Sequence, residues 1–291
     1  MLRTKANAKR VKWTTGQKVI IVLGTMIFVI YGLSLIFALG WTVLASLKTD
    51  EEFAASSLAF PRQWKLSNYI RAFELLAIGN TNLVEMLYNS LWLSILRPTI
   101  NLLTAAMASY VMAKYKFPGR SLIWGIMVTL MIIPIYGSTA SQYKMYSLLG
   151  IYNSPLLLVT AICGIGGNMM LIATFEGVST TYMEAAFIDG AGHFKVFFTI
   201  MLPQVTGLLS ALWIMSFISI WNDYMTSIMF LPDYLTLATG LYRFRNQTQS
   251  RGKDIPVLFA GVVLCMIPAI TLFITFQDKF LNLNFGGGIK G

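Results

Sequence analysis

Long apolar stretches recur along the chain, separated by short polar segments. From Val19 through Leu47 there is not one Asp, Glu, Lys or Arg. A helix that crosses the hydrocarbon layer needs about 20 mostly apolar residues. The pattern therefore predicts six spans, at about 19–46, 86–112, 121–141, 154–175, 204–230 and 255–276. Pro134, Pro155 and the Gly164–Gly167 cluster interrupt the third and fourth. Spans tolerate such residues where neighbouring helices or water satisfy the freed backbone groups. The expected fold is an all-α integral membrane protein. One transmembrane unit, 19–276, follows a basic segment, 1–18, and precedes a tail, 277–291.

Composition agrees with this pattern. Apolar residues make up 56% of the chain and charged residues 12%, against roughly 25% charged in a soluble domain. The net charge of +10 raises the question of nucleic acid, and its distribution answers against it. With the N-terminus placed inside, twelve of the 22 Lys and Arg fall on inner segments, nine on outer loops, and Arg97 within a span. Four acids lie inside, seven outside, and Asp223 within a span. The positive-inside rule then makes both termini cytoplasmic. The first apolar run exceeds the 7–15-residue core of a signal peptide and reads as a retained span. Cys163 and Cys265 fall within spans, where free cysteine acts as a small apolar residue; neither a disulfide nor a metal site is inferred.

The connecting segments differ in character. Residues 48–85 form the longest outer loop, with Asp50-Glu51-Glu52, Pro61 and a short helix expected from Leu66 to Leu76. Residues 113–120 make a basic inner turn around Pro118-Gly119, which supplies turn chemistry. The stretch 142–153 is short, and 231–254 is polar and basic.

The inner loop 177–203 is the most informative. Thr181 and Glu184 have the spacing of a capping box. Ala185 and Ala186 favour helix, and Asp189-Gly190 with Gly192 stop it, since glycine accepts the left-handed conformation after a helix. A second helical run starts at Phe194, and Pro203 marks the departure of span five. The product is a short helix–turn–helix whose small-faced first helix another protein's surface can approach closely.

At these residues the chain resembles the permease subunits of binding-protein-dependent ABC importers. Their cytoplasmic signature is Glu-Ala-Ala, three residues, Gly, nine residues, Ile, one residue, Leu-Pro. Glu184, Ala185, Ala186, Gly190, Ile200, Leu202 and Pro203 match it in identity and spacing. Further matches resemble the carbohydrate, MalG-like branch: Ser46-Leu47-Lys48, Asn68-Tyr69, Asn89-Ser90, Ala108-Ser109-Tyr110, Pro134, Trp221-Asn222-Asp223 and the final Lys290-Gly291.

The resemblance implies a type I importer permease fold and a division of labour. Two permeases, usually non-identical, enclose a path and sit on two cytoplasmic ATPase subunits that hold ATP and Mg. An extracellular or lipid-anchored binding protein delivers the sugar, and membrane lipid surrounds the spans. Glu184 would contact an ATPase, Ala185 and Ala186 would permit close docking, and Gly190 would supply the turn. The chain has no Gly-x4-Gly-Lys-Ser/Thr phosphate loop, so on this reading it carries no cofactor of its own.

Few residues compete for other roles. Arg97 in span two is the candidate for a functional charge on a translocation path, with Asp223 and Asn222 beside it in the expectation. A charge at membrane depth is usually paired or faces a cavity; a position near the interface, where it snorkels, is the alternative. His193, the only histidine, reads as a packed or solvated imidazole rather than a proton relay. Trp41, Trp64, Trp92, Trp124 and Trp221 read as anchors or packing residues. An ion-gradient-driven secondary transporter would need a coupling-ion site, for which Asp223 is the one plausible acid. An intramembrane enzyme would need converging nucleophile, base or metal ligands, and the scattered His and Cys do not supply them.

Overall fold

The computed structural model describes residues 14–79, 81–133, 137–160 and 165–281. Among these the chain is helical, with no strand. The first segment gives α1 (Thr15–Ser46), the short α2 (Asp50–Ala55) and α3 (Ser67–Leu75). Then come α4 (Leu83–Lys114), α5 (Arg120–Ile132), α6 (Thr139–Leu148), a 3-10 turn (Pro155–Thr160) and α7 (Ile165–Gly177). The inner loop contains α8 (Thr181–Ile188), α9 (His193–Val196), a π-helical turn (Phe197–Met201) and α10 (Leu202–Gln204). The chain ends with α11 (Thr206–Trp221), α12 (Met225–Phe230), α13 (Leu237–Arg251) and α14 (Ile255–Leu281).

Three helices, α1, α4 and α14, are each long and apolar enough to cross a membrane. The run His193–Gln204 joined to Thr206–Trp221 makes a fourth if taken as one span, bent by 79°. The first, second and sixth expected spans thus stand with small shifts of boundary. The others need correction. In place of a third span over 121–141 there is α5, whose 13 residues reach only about 20 Å, with α6 as a separate helix. The fourth is a 3-10 turn followed by α7, and the fifth breaks at Asn222–Tyr224 into α11 and α12. The polar loop 231–254 holds a 15-residue helix, α13. Its Thr236 side chain accepts from the Thr239 amide, a cap that polarity alone did not reveal. Pro134, Cys163, the N-terminal basic residues to position 13 and Lys290-Gly291 lie outside the described residues.

The loops segregate to two ends, as the alternation of spans requires. At one end the turn 113–120 meets the loop 177–203. At the other, Arg71 pairs with Asp254 at 2.5 Å, Asp50 accepts from the Ile255 amide at 3.2 Å, and Asn153 donates to Asp233 at 2.6 Å. Helix α4 runs the whole distance and packs against α7, α11 and α13.

Several short matches in the sequence turn out to be one interlocked structure. Asn68 is buried and donates to the carbonyls of both Ser46 and Lys48 at 2.8 Å. Tyr69 and Ser46 share a hydroxyl hydrogen bond at 2.7 Å. Lys48, only 1% exposed, donates to the carbonyls of Ser56 and Ser57 at 3.0 and 2.9 Å. Further along, Asn89 donates to the Leu235 carbonyl and Ser90 accepts from the Leu237 amide, fastening α4 to the start of α13. Beneath lies an apolar cluster of Leu76, Met86, Phe217, Trp221 and Val257. A Cβ on Gly240 would come within 2.9 Å of Met86 Sδ and 3.3 Å of the Leu76 carbonyl, so glycine sets the close approach of α13. Trp41 packs edge-on to Phe259 and donates to the Ser57 carbonyl, and Trp92 packs on Tyr234. Trp221 stacks on Phe217, while Trp64 and Trp124 stay exposed.

Replacing Asn68 by Leu strips two buried carbonyls of their donor. Each orphaned group costs about 1–3 kcal/mol. Thermal unfolding of the purified chain in detergent is expected to show a clearly lower midpoint for Asn68→Leu and a smaller drop for Asn68→Ser.

Candidate functional site

The loop 177–203 forms the expected helix–turn–helix, with one change at its start. The capping box of Thr181 and Glu184 does not form: Thr180 precedes the helix in helical conformation with no side-chain cap. Ser179 takes over instead, its hydroxyl accepting from the Thr181 amide at 3.3 Å and bonding Thr181 Oγ1 at 3.0 Å. The end of α8 follows the glycine rule. Gly190 has φ +82°, its amide bonds the Phe187 carbonyl, and the Ala191 amide bonds the Ala186 carbonyl. This paired closure is the Schellman motif, which satisfies the last carbonyls of a helix.

The two alanines part company. Ala186 is 7% exposed and belongs to a cluster with Tyr110, Phe175, Val196, Phe197 and Met201. Ala185 is exposed, as are Tyr182, Glu184, Ile188 and Asp189. Ala186 therefore seats α8 on its own protein, and the surface open to a partner is Glu184, Ala185, Ile188 and Asp189. Both alanines were expected to permit docking; of the two, Ala185 is exposed and Ala186 is buried. The later signature residues serve the seat as well: Ile200 and Leu202 pack against the same cluster. Pro203 lies in the first turn of α10, where a missing N–H costs nothing.

The seat is held from the opposite side by the basic turn. Lys114 Nζ donates to the Val178 carbonyl, and Tyr115 Oη bonds His193 Nδ1 at 2.8 Å. His193 also packs edge-on to Phe187, with ring centres 4.9 Å apart, so its imidazole is a packing group. Tyr110 stacks among Tyr115, Phe175 and Phe197. Arg120 pairs with Glu176 at 3.2 Å, an exposed contact of small energetic worth. Sequence reasoning read 113–120 as a turn and missed this clamp. Tyr110, Lys114 and Tyr115, one turn or so apart along the same helix end, were its only trace.

Arg97 and Asp223 meet. Arg97 Nη1 lies 4.0 Å from Asp223 Oδ2, with side chains 23% and 29% exposed. Arg97 stands 14 residues from the first residue of α4 and 17 from its last, about 21 and 26 Å along the axis. Arg97 thus lies near the middle of the helix. Asp223 sits in the break after α11 and accepts from the Thr226 amide at 3.0 Å and from its hydroxyl. Asn222 ends α11 and donates to the Ile218 carbonyl at 2.8 Å. It is exposed and does not join the pair.

Comparison with known proteins decides what kind of molecule carries this loop. Residues 101–281 match the family described as binding-protein-dependent transport system inner membrane component. The chain belongs to this family. It is a multi-pass permease of the inner membrane, and the ion-gradient-driven reading falls away. The family works with ATPase and binding-protein partners.

Among its relatives is the probable ABC transporter permease protein YurM of Bacillus subtilis, 28% identical over 97% of this chain and 91% of YurM. The diacetylchitobiose uptake permease NgcG of Streptomyces coelicolor is 26% identical over 87% and 83%. The maltodextrin permease MdxG of Bacillus subtilis is 27% identical over 82% and 85%. In fold, the chain is similar to a chain of a bacterial ABC transporter that imports alginate. The TM-score is 0.74 at 16% identity, covering 92% of this permease and 99% of the other. The type I importer permease fold is thus established.

The inward and outward alanines make opposite predictions. Ala186→Leu overpacks the seat and is expected to cost about 1–3 kcal/mol, read as a lower melting point and faster proteolysis within 177–203. Ala185→Leu, at an open surface, should change stability by less than about 0.5 kcal/mol.

Proposed function

We propose that this permease is one transmembrane subunit of an ATP-driven importer that moves a sugar or oligosaccharide inward. The observation that carries the reading is the loop 184–203: signature residues at signature spacing, a helix closed by its own glycine, and an outward face of Glu184, Ala185, Ile188 and Asp189. In this role two ATPase subunits hold ATP and Mg and hydrolyse the nucleotide; the permease performs no chemistry. Glu184 makes a polar contact with an ATPase groove, and Ala185 lets the two backbones approach.

Support for a saccharide comes from relatives named for diacetylchitobiose and maltodextrin and from the motifs of the carbohydrate branch. A second, non-identical permease completes the path, and an extracellular or lipid-anchored sugar-binding protein delivers the solute to the outer loops. Lipid covers α1, whose apolar side chains are exposed all round. Both termini face the cytoplasm in this arrangement, which places the basic turn and the coupling loop on the ATPase side. The pair of Arg97 with Asp223 lies on the translocation path, with Asn222 at its margin.

Gentle detergent purification of tagged permease from its native membrane, followed by mass spectrometry, tests the reading. Wild type is expected to bring down a phosphate-loop ATPase, and Glu184→Lys to lose it by about tenfold or more, in line with a broken charged contact. Absence of any ATPase, under conditions that hold other membrane complexes together, would overturn the proposal.

A further inference from the structure

Helix α3 has two apolar faces, and the chain covers only one of them. Asn68, Ala72 and Leu76 are buried, the last two in the cluster of Met86, Phe217, Trp221 and Val257. On the other side Leu66, Ile70 and Phe73 stand at i, i+4 and i+7, the spacing of a single helix face. They are 69%, 66% and 44% exposed. A third, polar strip holds Ser67, Arg71 and Glu74. Arg71 pairs with Asp254, just ahead of α14, so this strip lies toward the outer loops. Trp64, 63% exposed, precedes the apolar stripe and stands between the exposed cations Arg62 and Lys65.

The uncovered stripe reaches along a membrane span. Tyr69, Ile70, Phe73 and Glu74 line an open groove of about 350 Å³ together with Leu264 of α14. Leu264 stands nine residues past Ile255, the first of α14, which is about 14 Å along that span. The apolar surface continues down α14 through Ile267 and Ile270, both exposed. We infer that the face of Leu66, Ile70 and Phe73 lies against acyl chains of the outer lipid leaflet, with Trp64 at the interface. Helix α3 is then an in-plane helix of the membrane surface and not part of an aqueous loop.

Water and protein are the competing neighbours. Against water stands the gain from covering large apolar side chains, each worth about 1.5–3 kcal/mol when fully buried. Against a second permease stands direction. On the importer reading, that partner encloses the path bordered by Arg97 on α4 and Asp223 after α11. The inward face of α3 packs with Met86 of α4 and with Phe217 and Trp221 of α11, so the stripe is turned away from both helices. The head of the stripe suits a lipid boundary. Tryptophan gathers there, and Arg62 and Lys65 can lay their stems on apolar surface with the charge in water. The lipid contact itself needs only the membrane location of the chain; the exclusion of a partner permease rests on the importer reading.

Spin labelling tests this on the whole importer in lipid nanodiscs, with recovery of the ATPase as the control for assembly. Cys163→Ala and Cys265→Ala clear the background, and Leu66→Cys, Ser67→Cys, Ile70→Cys and Phe73→Cys each carry one nitroxide. Oxygen concentrates in lipid, and a water-soluble nickel chelate in water. Relaxation by oxygen should exceed relaxation by the chelate at 66, 70 and 73, with the order reversed at 67. The chelate ahead at 66, 70 and 73 would put the stripe in water. Weak relaxation by both would put it under protein. Either result overturns the inference. If no ATPase is recovered, the importer reading fails, while the order of the two relaxants still decides the lipid contact. Should the cysteine-free chain not assemble, the native chain serves with brominated phospholipid as the quencher. The emission difference between wild type and Trp64→Phe reports Trp64; it should collapse in brominated lipid, and an unchanged difference would overturn the inference.

Discussion

The loop 177–203 depends on the contact that seats α8 on the end of α4. Ala186 lies against Tyr110, Phe175 and Phe197 in a cluster that contains no charged residue, and interiors this closely packed transmit displacement rather than absorb it. The clamp of Lys114 and Tyr115 on Val178 and His193 fixes the loop from the other side. A push on the exposed face of α8 therefore moves the loop as a body, together with the ends of α4 and α11. The small side chain of Ala186 is what lets α8 fit against this cluster.

The opposite end is held by different physics. Residues 48–66 contain long stretches outside helix, so their backbone groups need partners that helices would have supplied. Asn68 donates to the Lys48 carbonyl and Lys48 to those of Ser56 and Ser57, while Asn89 donates to the Leu235 carbonyl and Ser90 accepts from the Leu237 amide at the start of α13. The coupling end, nearly all helix, has its backbone satisfied internally and is held chiefly by apolar contact. This division leaves the outer loops fixed in register and the coupling seat able to shift as a packed unit.

What the sequence revealed follows the same division. Helices α1, α4 and α14 were readable because each is a long apolar run, and the coupling loop because its turn depends on Gly190 and its spacing on few residues. The signals that failed were those where one local pattern competed with another. Thr181 and Glu184 spell a capping box, but Thr181 is already inside the helix and the Glu184 amide bonds the Thr180 carbonyl. The run 204–230 is mostly apolar, yet Asp223 accepts from the Thr226 amide and the helix restarts at Met225. Helix α13 is polar on its exposed face and buries Leu237, Gly240 and Phe244, so hydropathy alone read it as loop. The partnership of Ala186 was beyond reach, because it depends on residues distant in sequence, whereas Asp223 was the acid named for Arg97 and lies 4.0 Å from it.

Helix α11 ties the two halves of the molecule into one lever. It spans 16 residues, about 24 Å. At one end lies the 79° bend into the coupling run, and at the other the break that places Asp223. A helix can break inside a membrane only where the freed groups find partners, and Asp223 supplies one by capping α12. The same carboxylate neutralises Arg97 on α4. One residue thus closes the backbone of the lever and pairs with the charge on α4. At its outer end α4 is anchored to the start of α13 by Asn89 and Ser90. One helix, α11, thus runs from the 79° bend beside the loop 177–203 to the break that brings Asp223 within 4.0 Å of Arg97.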